Sequence, residues 1–383
     1  MPANDPDVLV VGGGVVGLFC AYYLRLSGCD VVLVEQGAVG GPQSCSHGNS
    51  GFVGTQGAAP LNEPFELPGG ADASLRSWLA HYRDAGDAAA ASALLLELKK
   101  QSLDILRALH PAGFTDTGMV LAFKTPRGFE QARRSGVAFH ALSPDELRGL
   151  ELDVHGGLYN PDGGYVRAPE FVTELARMLE GMGVSIREQE RVVGFEAANG
   201  LVSRVHTDRG EYRPHETVLA AGVDTVEQAR LLGLDVALQP VKGYSVTIET
   251  PYAPRLPILL GEARVAVAPL GGGRLRFAGG LHLSGVDSSP ESVLSAVRSY
   301  LPRMEWAGTV EVWSGLRPCT PDSLPFLGRA YPYRNVTIAC GHGTIGMGMA
   351  PASGRLIAQL LAGGGPTDID LKPFRVDRYP RGA

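Results

Sequence analysis

The stretch Val8-Leu9-Val10-Val11-Gly12-Gly13-Gly14-Val15-Val16-Gly17 constrains this chain more than any other. Four consecutive apolar residues suit a strand buried on both faces of a parallel sheet. The glycines that follow stand at Gly12-x-Gly14-x-x-Gly17. In that spacing the first permits a tight turn, the second lets a pyrophosphate approach the backbone, and the third lets the next helix pack on the strand. The phosphates then meet a helix N-terminus, opened by Val15 and Val16, where unsatisfied N–H groups and the dipole favour anions. Cys29 through Val34 reads as the second strand and runs into Glu35 and Gln36. A carboxylate about 20 residues beyond the glycines is placed to accept the ribose hydroxyls of a dinucleotide. Residues 1–36 are therefore predicted to form a β-α-β dinucleotide-binding unit. Glu35 repels a 2′-phosphate, which argues against NADP. Spacing alone leaves NAD and FAD open.

At 383 residues the chain exceeds one ordinary hydrophobic core, so two domains are expected. A hydrophobic content of 44% and a charged content of 19% fit a soluble globular protein. A net charge of −6 with no basic run argues against a nucleic-acid surface. The five cysteines are scattered and none forms a Cys-x-x-Cys pair, so neither a metal site nor a disulfide framework is expected. A reducing cytoplasm fits that usage. The apolar start lacks a basic flank and a small-residue cleavage site, unlike a signal peptide. No uninterrupted apolar run approaches the about 20 residues that span a bilayer. Peripheral contact with the inner face of a membrane stays open.

Further along, a loop rich in Gly, Ser and Pro runs from Gly37 to about Gly70, long enough to suggest ligand contact. Helices are predicted over Trp78 to His110, from Pro144 behind a Ser143 cap, over Pro169 to Met182, over Pro290 to Leu301 and over Ala350 to Leu361. Strands are predicted at Met119–Phe123, in a meander turning at Asn199-Gly200, at Glu216–Gly222 with small residues at its end, between Val241 and Gly280, and at Val336–Cys340. The fold class expected is mixed α/β: a Rossmann-type dinucleotide domain interleaved with a substrate domain built on an antiparallel sheet with helices. The dinucleotide domain is assigned residues 1–75, 150–225 and 308–383, and the substrate domain residues 76–149 and 226–307.

Four stretches add a family resemblance. They are Ser46-His47-Gly48-Asn49-Ser50-Gly51, Val241-Lys242-Gly243-Tyr244-Ser245, Trp313-Ser314-Gly315-Leu316-Arg317-Pro318-Cys319-Thr320-Pro321-Asp322 and Gly341-His342-Gly343-Thr344-Ile345-Gly346. In this order, over essentially the whole chain, they resemble the FAD-dependent D-amino-acid dehydrogenases, within the group of D-amino-acid oxidase, glycine oxidase and sarcosine oxidase. The resemblance implies FAD as cofactor. It also implies that Arg317 holds the substrate carboxylate, a task suited to a guanidinium fork with two parallel charge-assisted bonds. Gly341, His342, Gly343 and Thr344 match the segment at the pyrimidine end of the flavin, where backbone N–H groups stabilise negative charge. Ser46, His47, Gly48, Asn49 and Ser50 match the flavin-hugging loop. Val192 matches the position whose backbone holds the adenine, and Ala221 and Gly222 match the end of a third flavin-side strand. His342 and Tyr244 are candidates for contact with the reacting groups, each with a structural alternative as turn filler or core residue.

Two departures steer the reading away from sarcosine. Aligned on Asp322, the cysteine that attaches flavin covalently in sarcosine oxidases falls at Gly315, so FAD is expected to be non-covalent and Cys319 structural. Gly51 replaces an arginine that sarcosine oxidase uses for substrate. The resulting expectation is oxidation of the Cα–N bond of a D-amino acid, D-proline and hydroxyproline among the candidates. Hydride passes to flavin N5, and the imine hydrolyses to a 2-oxo acid and ammonia. Oxygen, a quinone or an electron-transfer protein would reoxidise the flavin. Two other readings remain open: an amine oxidase of the glycine or sarcosine type, and a non-catalytic flavin-binding accessory protein.

Overall fold

The computed structural model describes residues 5–56, 60–134, 137–252, 254–283, 288–362 and 367–379. Val8–Val11 is a strand buried along its whole length, paired in parallel with Val31–Val34 on one side and Glu216–Leu219 on the other. Ser185–Arg187 extends the sheet at one end. Val336–Cys340 extends it in parallel at the other, and the antiparallel strand Phe326–Arg329 closes that edge. The continuous apolar run is explained by cover on both faces. Val8 and Val10 pack toward the helices Val15–Leu26, Ala168–Gly181 and Gly346–Leu361. Leu9 and Val11 pack toward Val192, Val202 and Val205 of the meander and Ala229 of the short helix Thr225–Leu231. At Gly17 an added Cβ would lie 1.9 Å from the Gly12 carbonyl oxygen, so the first helix can cross the strand end this closely only with glycine there.

The second large unit is an eight-stranded sheet. Its order is Gly308–Cys319, Gln239–Glu249, Arg274–Leu283, Val265–Gly271, Ile258–Leu260, Met119–Phe123, Gly156–Asn160, His140–Ala141. All pairings are antiparallel except that of Ile258–Leu260 with Met119–Phe123. The helix Glu291–Tyr300 buries Val293, Val297 and Tyr300 against one face, in a core shared with Tyr244, Val246 and Ile248. A three-stranded sheet of Phe52–Gly54, Gly163–Val166 and Phe114–Thr115 joins the two units.

Three segments pack across the predicted domain division. Gly308–Cys319 pairs along its length with Gln239–Glu249, so it belongs to the substrate-side sheet. Gly156–Asn160 also joins that sheet, through Met119–Phe123. The helix Ala88–Leu109 buries Leu95, Leu98, Leu103 and Leu106 in the dinucleotide-side core. The helical stretch expected from Trp78 to His110 is two helices, Ala73–Arg83 and Ala88–Leu109. Asp87 starts the second by accepting the N–H groups of Ala89 and Ala90. Residues 57–59 of the expected long loop lie outside the described residues.

Candidate functional site

A cleft of about 1130 Å³, its open mouth included, lies at the C-terminal ends of the parallel strands. Open α/β sheets bind ligands at this end. Gly12, Gly14, Val15 and Val16 line it, and no side chain caps the helix at Gly14. Glu35, nearly buried, accepts from the Gly13 N–H at 2.7 Å and the Gly37 N–H at 2.9 Å. The carboxylate therefore fixes the turn while lining the cleft, and each oxygen keeps a lone pair for a further donor. Gln36 lines the cleft beside it and donates to Asp224 at 2.7 Å.

The loop expected to hug the flavin divides. Ser46 and Asn49 line the cleft, and Ser46 Oγ accepts from the Val15 N–H at 3.2 Å. Gly48 is buried against Trp313. The His47 ring is turned away from the lining, with Nδ1 2.9 Å from the Gly40 carbonyl and Nε2 2.9 Å from Glu311 Oε1. His47, Gly48 and Ser50 thus stand outside the lining, as does Gly17, which serves packing. Val192, Ala221 and Gly222 line the wall, with Gly341 and Gly343 opposite. Thr344 is exposed and outside the lining.

His342 stands at the start of the glycine-walled side of the cleft. Its ring is buried, with Nε2 2.9 Å from Ser353 Oγ on the helix Gly346–Leu361. Burial pushes its pKa down to about 3, so the ring stays neutral near neutral pH. The residue itself lines the cleft between Gly341 and Gly343.

Cross-strand register separates the two remaining candidates. Val241, Gly243, Ser245 and Thr247 stand opposite Arg317, Gly315, Trp313 and Glu311, and directly opposed residues share a face. The other face carries Tyr244, Val246 and Ile248. Tyr244 points away from Arg317 into the core under the helix Glu291–Tyr300, with its hydroxyl at Ser288. Arg317 lies flat across its own face. Its guanidinium covers Gly243, where an added Cβ would sit 2.1 Å from Nη1. It reaches the carbonyls of Gly280 and Gly279. Among the described residues it has no carboxylate partner within ion-pair distance. Burial lowers its pKa from the usual guanidinium value, yet an arginine remains charged. Leu316 and Pro318, on either side of it, line the cofactor cleft. Trp78 fixes the end of this strand by donating from Nε1 to the Cys319 carbonyl at 2.9 Å.

Sequence reasoning missed several residues of the cleft. Gln228 lines it, donating to the Val192 carbonyl at 3.4 Å while its buried Oε1 has no partner in the protein. Ser44, Cys45, Glu190 and Arg191 also line it. An orphaned amide oxygen, an uncapped helix N-terminus and a glycine-walled cleft fit a dinucleotide with an adenine at the Val192 end.

The profile of the family described as FAD dependent oxidoreductase (DAO) matches residues 7–360. A D-amino acid dehydrogenase of Paramagnetospirillum magneticum is 31% identical, over 97% of this chain and 98% of its own. A D-amino-acid oxidase of Bradyrhizobium diazoefficiens is 30% identical, over 97% and 98%. Among solved structures, glycine oxidase from Geobacillus kaustophilus superimposes with a TM-score of 0.78 at 24% identity, covering 98% of this chain and 99% of that one. An L-amino acid deaminase from Proteus myxofaciens gives 0.76 at 19%, covering 99% and 94%. At these identities the two structures speak to fold alone.

Proposed function

Because the chain belongs to the DAO family of FAD-dependent oxidoreductases, we propose that it oxidises the Cα–N bond of D-amino acids. The observation that carries this reading is Arg317, a desolvated guanidinium laid over Gly243 without a carboxylate of its own. A cation in that state is stabilised by a substrate carboxylate, and its planar fork fixes the substrate's orientation as well as its charge. The names of the dehydrogenase and oxidase relatives support a D-amino acid as the carboxylate's bearer. Bound FAD supplies the two-electron acceptor.

In this reading the chain contributes position and electrostatics. Backbone N–H groups at Gly14 and Val16 would take the pyrophosphate, the Val15 N–H being given to Ser46 Oγ; Glu35 would hold the ribose and Gln228 the adenine. Gly341 and Gly343, ahead of the helix Gly346–Leu361, face the end of the ring where negative charge gathers. Arg317 presents the substrate by its carboxylate. The neutral amine then needs no residue to drive imine formation, and water completes hydrolysis to a 2-oxo acid and ammonia. Gly315 offers no thiol at the position of the sarcosine oxidase attachment, which supports a non-covalent cofactor.

The test is anaerobic flavin bleaching across paired amino-acid enantiomers, glycine and sarcosine. D-enantiomers should bleach the yellow protein and their L-partners should not. Arg317→Ala should raise KM at least a hundredfold, in keeping with about 3 kcal/mol for a lost bidentate charged pair. Bleaching of that variant at wild-type substrate concentrations would falsify the role given to Arg317.

A further inference from the structure

Among the described residues, one hydroxyl on the Arg317 face has no partner. Ser245 is 1% exposed, and its Oγ makes no hydrogen bond. Buried hydroxyls are nearly always paired, so an orphan invites a ligand group. Ser245 stands opposite Trp313 on one neighbouring strand and Ala278 on the other. The Arg317 guanidinium covers Gly243, two residues back on the same face. One pleat repeat, about 6.6 Å, separates the floor beneath the guanidinium from Ser245. Trp313 walls the flank: its indole covers Gly315, where an added Cβ would fall 2.1 Å from Cη2, and donates to the Pro42 carbonyl at 2.7 Å.

An α-amino acid carries its amine two bonds from its carboxylate carbon. With a hydrogen bond of about 2.9 Å at each end, the amine and carboxylate reach up to about 8 Å, enough to bridge one pleat repeat with the bonds at an angle. We propose that Ser245 is a second substrate-contacting residue, whose hydroxyl accepts a hydrogen bond from the substrate amine while Arg317 holds the carboxylate. The inference rests on the reading of Arg317 as the carboxylate clamp. Accepting an amine N–H leaves the nitrogen lone pair free for imine formation and sets its direction. Tyr244, the neighbouring hydroxyl in sequence, serves the opposite face and cannot share this task.

The experiment pairs a substrate with its own skeleton lacking the amine. For the D-amino acid that bleaches the flavin fastest, kcat/KM is measured beside Ki for the corresponding des-amino carboxylate, in wild type, Ser245→Ala, Ser245→Cys and Arg317→Ala. Ser245→Ala should lose about tenfold in kcat/KM and keep both the carboxylate Ki and the FAD Kd. Ser245→Cys, near the native volume with a weaker acceptor, should fall between. Arg317→Ala should lose both ligands. If Ser245→Ala keeps its kcat/KM, loses amine and carboxylate equally, or binds FAD more weakly while Arg317→Ala behaves as stated, the Ser245 inference alone is overturned. If Arg317→Ala still binds the carboxylate, the clamp falls and this inference with it.

Discussion

Arg276 donates from Nη2 to Glu311 Oε2 at 2.9 Å, across the face of the large sheet that carries Arg317. The same guanidinium donates from Nη1 to the His47 carbonyl at 2.6 Å and from Nε to Thr247 at 3.1 Å. Glu311 in turn takes the His47 ring on its other oxygen. This network bolts the loop that carries Ser46 and Asn49 to the substrate-side sheet, although those segments are far apart in sequence.

The first prediction follows from the burial of Arg276, whose side chain is 5% exposed. Replacing it by Met strands the Glu311 carboxylate and at least one loop carbonyl. Hydrogen bonds to charged groups contribute about 1.5–3 kcal/mol each, and Glu311 is partly solvated, so a loss of about 2–3 kcal/mol is expected. Part of that loss should appear as a roughly tenfold weaker FAD Kd, because the loop forms a wall of the cleft. A double-mutant cycle with Glu311→Gln should give a coupling above about 1 kcal/mol. A coupling near zero would mean that the two residues act separately.

The parts of this molecule legible in sequence are those set by contiguous residues. Val8–Val11, the glycines and Glu35 lie within one β-α-β unit, and their roles follow from spacing. The Gly-Leu-Arg-Pro stretch pointed to Arg317 through family resemblance, and the structure adds what lies under it and beside it. Facing was illegible. Tyr244 and Ser245 are neighbours, and alternation sends them to opposite sides of the sheet, so a one-residue difference decides which faces Arg317. On the partner strand Arg274–Leu283, Gly280 and Leu281 together oppose Gly243, and this bulge interrupts the alternation there that sequence patterns rely on. Gln228 escaped because its helix, Thr225–Leu231, has seven residues, too short for a periodic signal. The break was legible in Asp84-Ala85-Gly86-Asp87, a helix-breaking glycine followed by an N-cap acid, which the alanine-rich run after it outweighed.

Lys99 provides the second prediction. It is 3% exposed, donates to the Gln56 carbonyl and has no carboxylate partner among the described residues. Burial lowers its pKa to about 7 from 10.5. The unfolded chain therefore binds more protons than the folded one between about pH 7 and 10.5. Stability rises with pH through that window, and the penalty is fully present below it. Lys99→Met should raise stability at pH 7 by on the order of 2–4 kcal/mol. The gain should shrink as pH approaches 10. Urea unfolding at both pH values checks this, and a gain independent of pH would assign it to packing instead.

The third prediction concerns His342, where the pH dependence runs through the acid range. Burial holds its pKa at about 3, whereas the unfolded ring titrates near 6.5. Between those values the unfolded state binds the extra proton. Stability contributed by the neutral ring is complete above about pH 6.5 and is lost as pH falls toward 3, at up to about 1.4 kcal/mol per unit. His342→Gln keeps a hydrogen-bonding group for Ser353 and removes the titration. Its unfolding free energy should start lower, because the shorter side chain packs less well. It should then fall less steeply than that of the wild type between pH 6 and 4. Because the other histidines titrate alike in both proteins, the difference in slope isolates this ring. The kinetic profile of kcat/KM between pH 6 and 9 should keep its shape, since a ring neutral across that range exchanges no proton with substrate. Loss of a kinetic pKa in the variant would return His342 to the chemistry from which its burial removes it.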